Sequence, residues 1–471
     1  MSNFYYEPTS SESTQAVLDE PIITETTPSR ETTYAAPAVR ARQQSYALFH
    51  YVLLVYLYLY CTRIPELLPQ IRLALLMTVI MLAGAMATGK AGDLLQTRLG
   101  RILGVFTVWT AICVPMSVWP GGSLDILKGT VLSVLLVGFI IAFACTIKEV
   151  KHAMYSVGIA MGSVAILSFS LFSQMTPGTG SALEGQAPTP SGEERLGLFH
   201  SATLSDPNTL SLYMLIGLPF LWLGIKNGNW AVRILCLPLL LAALVAIGHS
   251  ASRMALVLFV IGLLMFLARA SMRERAFVLV SVIAMVAMIV PVLPQTTINR
   301  FTTFFQTKSE SFESREAAES AQARLYLLER SLILTAKHPI FGVGPGQFEV
   351  AEDLDAKASG KDRGAWHVTH NAYTQSSSEA GILALILYVM ALVTANRGLA
   401  NLRKRGPTKE VSEMAKAVRL SLWMVILGGL FLTTGFGGPP FMIMGMCVAF
   451  KIAVAREYPS ARTTVATAAA A

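Results

Sequence analysis

The chain has 471 residues, of which 53% are hydrophobic and only 14% charged, with a mean hydropathy of +0.54. Soluble domains carry about 25% charged residues, so these values exclude an ordinary soluble protein and indicate an all-α polytopic membrane protein. The net charge of +8 is accounted for by lysines and arginines gathered between apolar segments. No basic stretch carries interleaved aromatics, so nucleic acid is not expected as a partner.

Residues 1–44 are rich in Ser, Thr, Glu and Pro and read as a disordered cytoplasmic tail. The first apolar segment begins near Tyr46 and no small-residue cleavage site follows it, so it is not a secretory signal. Nine spans are predicted within 45–293: 46–60, 70–88, 100–118, 125–146, 152–173, 207–225, 230–248, 253–269 and 276–293. Three more, 371–395, 418–434 and 438–455, lie within 371–457, giving about 12 in all. Residues 458–471 form a second cytoplasmic tail.

The loops alternate in charge. Lys90 and Arg98, Lys148 and Lys151, Lys226 and Arg233, and the run from Arg397 to Arg419 fall on one side. By the positive-inside tendency that side is cytoplasmic, with both termini on it. Arg63 and Arg72 run against the pattern. Two outer segments are long: 174–206, and a large periplasmic loop at 294–370. In the latter, 313–337 reads as a helix with Leu325, Leu328, Leu332 and Ile333 on its apolar face, stopped by Pro339, and suited to lie on the membrane as a partial lid. The five cysteines sit in or beside apolar segments without metal-ligand spacing and read as small buried hydrophobes.

Three groups project to the outer side: Arg195 ahead of Asp206-Pro207-Asn208, Arg253 opening the eighth span, and His370 at the head of the tenth. Arginines at span ends also snorkel to head groups, and an isolated interfacial histidine is often structural. Below His370, however, Thr374, Ser377 and Gly381 fall on the same helix face, widened by Gln375, Ser376, Ser378 and Glu379. Such a face lines a polar cavity or packs against other helices. Arginine presents a fork of donors that suits phosphate oxygens, and a neutral histidine accepts a proton from an attacking hydroxyl. Together they suit attack on a lipid-linked sugar pyrophosphate, whose leaving group is already a stable anion.

His370-Asn371, nine residues, then Gly381 resembles the signature of the O-antigen ligase and polymerase superfamily, bacterial GT-C type membrane glycosyltransferases. Arg195 and Gly197 before Asp206-Pro207-Asn208, Ser252-Arg253, and the run His338-Pro339-Ile340-Phe341-Gly342-Val343-Gly344-Pro345-Gly346 extend the resemblance across 195–395. Ala384 departs mildly from the family pattern. The resemblance implies an inner-membrane enzyme with its site on the periplasmic face, inverting and without metal or cofactor. Arg195 and Arg253 would bind the pyrophosphate of an undecaprenyl-linked glycan, with Arg324, Asn371, Asp206 and Asn208 as further substrate contacts. His370 would be the catalytic base, with His367 as its substitute. His338, Gly342, Gly344 and Gly346 would shape the loop, and Glu379 would serve packing or cavity polarity.

The acceptor would be lipid A-core in a ligase of lipopolysaccharide biosynthesis, or the next lipid-linked repeat unit in an O-antigen or exopolysaccharide polymerase. The alternative of another class is a transporter or flippase for an anionic or lipid-linked solute.

Overall fold

The computed structural model describes residues 37–172, 196–198, 201–268, 270–289, 298, 312–360 and 367–459. The chain divides into Met1–Gln43, described only over residues 37–43, all helical, and Gln44–Ala471, which holds the remaining elements. Residues 1–36 of the expected N-terminal tail, nearly all of the C-terminal tail, and most of the outer segment 174–206 lie outside the described residues, whereas residues 37–44 of that tail belong to a helix.

Among the described residues the regular structure is helical throughout. In chain order it comprises α1 (Pro37–Thr62), α2 (Ile64–Leu67), α3 (Leu73–Ala87), α4 (Asp93–Gln96), α5 (Arg98–Cys113) and α6 (Pro120–Phe143). There follow α7 (Ile147–Phe172), α8 (Pro207–Asn227), α9 (Trp230–His249), α10 (Arg253–Leu267) and α11 (Met272–Ile289). The chain closes with α12 (Phe312–Lys337), α13 (Phe348–Ala358), α14 (Ala372–Asn396), α15 (Leu399–Arg405), α16 (Lys409–Gly428) and α17 (Pro439–Glu457).

Several helices start where the sequence supplies a side-chain acceptor for their first amides. Thr97 caps α5, Asp206 caps α8, Asn229 caps α9, Ser252 caps α10, Asn371 caps α14 and Thr408 caps α16.

Among the described residues, seven helical stretches are long and apolar enough to cross a membrane: Arg98–Met116, Pro120–Phe143, Ile147–Leu171, Pro207–Asn227, Trp230–His249, Ala372–Arg405 and Pro439–Glu457. Tyr46–Thr62, Leu73–Ala87 and Arg253–Leu267 are shorter apolar helices. Each of the twelve expected segments overlaps a helix, but the eleventh is displaced. It was expected over 418–434, whereas α16 begins at Lys409 and ends at Gly428. Its first half is polar, with Glu410 paired to Lys151 at 2.5 Å and Glu413 to Lys226 at 2.8 Å, so apolarity alone does not reveal it.

One large buried cluster joins α1, α5–α8, α14, α16 and α17, with α8 packed against α7, α9 and α16, and α17 against α6. A smaller one, Leu327, Leu334, Val343, Phe348 and Ala351, fastens α12 to α13 and to the turn between them. The buried face of α12 is therefore Leu327, Ser331 and Leu334, while Leu325 and Leu332, expected on a membrane-lying apolar face, are 67% and 53% exposed. A second apolar face, Leu327 and Leu334, packs instead on α13, a partner from a distant part of the sequence.

Arg63, which broke the charge pattern, is not a solvated cation. It pairs with Glu66 at 3.3 Å, donates to the Tyr213 hydroxyl at 2.8 Å and lies over the Tyr60 ring. Glu66 in turn accepts from the Ser201 hydroxyl and from that of Thr203 at 2.8 Å. This ties the segment leading into α8 to the end of α1.

Helix α14 is broken at Gly381, whose φ of 81° and ψ of 173° lie outside helical space. The turn from His338 to Gln347 enters the break. Val343 and Gly344 donate their amides to the carbonyls of Ser378 and Glu379 at 2.9 Å each, and Ile382 donates to Pro339 at 2.9 Å. The Trp109 indole donates to the Ala380 carbonyl at 2.8 Å. These bonds supply the partners that the interrupted helix ladder cannot.

Candidate active site

His370 immediately precedes α14 and adopts a φ of 49°, a left-handed conformation unusual for a non-glycine residue. Neighbouring bonds hold it there. Its amide donates to Thr433 Oγ1 at 3.2 Å, the Ala372 amide to the Gly429 carbonyl at 2.7 Å, and the Tyr373 hydroxyl to the Ile426 carbonyl at 2.8 Å. Asn371 accepts from the amides of Tyr373 and Thr374 at 2.9 and 3.1 Å, starting the helix directly after the bend. Strain of this kind costs about 1–3 kcal/mol and persists where surroundings over-determine it, often at functional sites. Three further non-glycine residues share this conformation among the described residues, Arg63 at φ 55°, Arg72 at φ 48° and Ala251 at φ 48°, the last of which precedes Ser252-Arg253.

The His370 ring is partly buried, and its electrostatic neighbours come from two distant segments and from His367, three residues before it. Burial foremost, then the Arg324 guanidinium of α12, pushes its pKa below the ordinary histidine value. Asp206, ahead of α8, opposes that shift, and His367 adds to it. The imidazole is consequently neutral near pH 7 and able to accept a proton. Burial also pulls the Arg324 guanidinium below its usual value, against the attraction of Asp206.

Asp206 is fixed by its role as the α8 cap. Its carboxylate accepts from the Thr209 amide and hydroxyl at 2.9 Å and from Asn208 Nδ2 at 3.0 Å. Asn208 Oδ1 then accepts from the Ser252 hydroxyl at 2.8 Å, joining the start of α8 to the start of α10, whose first residue is Arg253. A further bond, from Ser211 to Ser250 at 2.7 Å, secures the same junction.

The structure thus brings His370, Arg324 and Asp206 into mutual electrostatic range and links Asp206 through Asn208 to the head of α10. Asn371 acts here as a helix cap. Arg195 lies outside the described residues; the adjoining Leu196 is buried and donates its amide to the His249 carbonyl at 3.4 Å. His367 is exposed and within electrostatic reach of Glu349 and Glu352 on α13. His338 and the glycines Gly342, Gly344 and Gly346 belong to the turn inside the α14 break, away from the His370 bend.

Those glycines are required by contact as well as by positive φ. A Cβ on Gly342 would lie 2.3 Å from the Glu379 carbonyl carbon, and one on Gly344 would lie 2.0 Å from Ser117 Oγ. The Glu379 carboxylate accepts from the Gly346 amide at 2.7 Å and from Gln375 at 3.2 Å, and Gln375 Oε1 accepts from Gly435 at 2.9 Å. Gln375, Glu379 and the serines of α14 thus bond one another, the helix backbone or the inserted turn, whereas the buried Thr374 hydroxyl has no partner among the described residues. The sequence did not single out Thr433 or the Gly429–Leu430 turn that hold His370; the glycine-rich run from Gly428 to Gly438 was the available signal.

Fold and site together define a multi-pass helical membrane protein with a polar cluster at one end of its bundle. Residues 209–389 match the O-antigen ligase family, which supports the resemblance to the O-antigen ligase superfamily. The matched stretch runs from the first turn of α8 into α14 and contains Arg253, Arg324 and His370. No curated protein matches the chain.

Proposed function

We propose that this protein transfers a glycan from undecaprenyl pyrophosphate to an acceptor hydroxyl on the periplasmic face of the inner membrane. The observation that carries the reading is His370, strained, partly buried and kept neutral, beside Arg324 and Asp206. The acceptor oxygen attacks the anomeric carbon while His370 takes its proton. The bond from that carbon to the pyrophosphate breaks on the opposite face, inverting the configuration. Arg324, with Arg253 and Arg195, neutralises the departing pyrophosphate by charge-assisted hydrogen bonds. No step in this account needs a metal.

The family match favours this reading over a transporter. In a ligase the acceptor is lipid A-core; the same chemistry serves a polymerase whose acceptor is a second lipid-linked unit. Purified protein supplied with an undecaprenyl-pyrophosphate glycan and either acceptor decides between them by the product formed. His370→Ala is expected to lower the rate by about 10²–10⁴-fold, the usual contribution of a general base. Undiminished transfer by that variant would remove His370 as the base, and no transfer to either acceptor by wild type would remove the enzyme reading.

A further inference from the structure

At the end of the bundle opposite His370, an open cavity of about 410 Å³ lies among the first turn of α5, the last turns of α14 and α17, and the short α4. Its lining includes four cationic side chains, Arg98, Arg397, Lys451 and Arg456, against one carboxylate, Asp93. Leu99, Ile141, Val448 and Ile452 supply apolar wall. Lys451 is anchored, donating to the carbonyls of Thr394 at 2.7 Å, Ala395 at 3.2 Å and Arg397 at 3.1 Å, which fixes its nitrogen in the cavity wall. Among the described residues no ion pair engages Arg397 or Arg456.

We infer that this cavity binds the phosphate of an anionic phospholipid. Helices α5, α14 and α17 all belong to stretches long and apolar enough to cross a membrane, and all three terminate at this cavity. Their ends therefore stand at head-group level. An arginine fork is complementary to a phosphate diester. The mixture of cationic and apolar wall suits a ligand with a charged head and an acyl chain, whereas a free anion uses only the former. Basic pockets between membrane helices bind such lipids by the same attraction. The site shares no residue with the His370 cluster, so it does not depend on the transfer reaction.

The test uses the full-length protein, delipidated in neutral detergent, with phosphatidylglycerol or phosphatidylcholine added and retention read by native mass spectrometry. Wild type is expected to retain phosphatidylglycerol preferentially. Replacing Arg397 and Arg456 together by glutamine should lower that retention more than about tenfold, since each basic residue near an anionic surface contributes about a fivefold factor. Asp93→Asn removes the opposing carboxylate and should raise retention, an outcome a misfolded variant does not give. Equal binding of the two lipids, or an unchanged double variant, would overturn the proposal. Displacement of phosphatidylglycerol by millimolar inorganic phosphate at equal affinity would show a free-anion site and overturn the lipid assignment.

Discussion

His370 is informative because, beyond the burial that lowers its pKa most, its charge state responds to residues far away in sequence. Arg324 lowers its pKa and Asp206 raises it, so the two neighbours pull in opposite directions. If His370 is the base, rate falls on the acid side as the imidazole becomes protonated. Arg324→Gln removes a cation, raises the His370 pKa and should move the acid limb of the kcat/KM profile to higher pH. Asp206→Asn removes an anion, lowers that pKa and should move the limb to lower pH, while asparagine still caps α8. Limbs that coincide in wild type and both variants would show that His370 is not the titrating base. Among single residues, the sequence named His370, Arg324 and Asp206 but not Thr433, which accepts from the His370 amide. Nothing in the local pattern at 433 announces a contact with a residue 63 positions earlier.

The decisive element is α14. Its polarity and its start near residue 371 were legible, but Asn371 was read as a substrate contact rather than a cap, and the helix was expected to run unbroken through Gly381. The break depends on a second segment: the His338–Gln347 turn supplies donors to the freed carbonyls, and only the folded chain brings it there. A Cβ at Gly381 would lie 1.8 Å from the Ile340 carbonyl oxygen, in a backbone conformation that L-residues avoid. Gly381→Ala is therefore expected to destabilise the protein by about 3 kcal/mol, through overpacking and backbone strain combined. Thermal unfolding in detergent reads this directly, and a melting temperature equal to wild type would contradict the packing described. Asn371→Ala should cost about 1 kcal/mol by uncapping the same helix. Helix α12 teaches a related lesson. Its existence and limits were legible from composition, but its buried face was not, because α13 provides the partner for Leu327 and Leu334.

For the whole molecule, the ends of α14 divide the protein into two chemically different faces. The His370 cluster lies at one end, and the cationic cavity at Arg397 and Lys451 at the other. A membrane between them predicts opposite accessibility. In a background with the five native cysteines replaced, Ala202→Cys, an exposed position ahead of α8, should react with a membrane-impermeant maleimide added outside intact spheroplasts. Lys404→Cys, exposed on α15, should react only after the membrane is opened. Reaction of both from the same side would refute the placement of the two sites on opposite faces.

The sequence by itself determined that the protein is helical and membrane-borne, where most helices begin, and which residue types could handle a phosphate and a hydroxyl. Those properties follow from composition, periodicity and caps, which act over a few residues. Only the tertiary structure decided that Arg324, Asp206 and His370 share one electrostatic neighbourhood, that α14 breaks to admit a glycine turn, and that Arg63 bonds the Tyr213 hydroxyl. Each of these depends on contacts between segments tens to hundreds of residues apart, where local propensity carries no information and packing fixes the outcome.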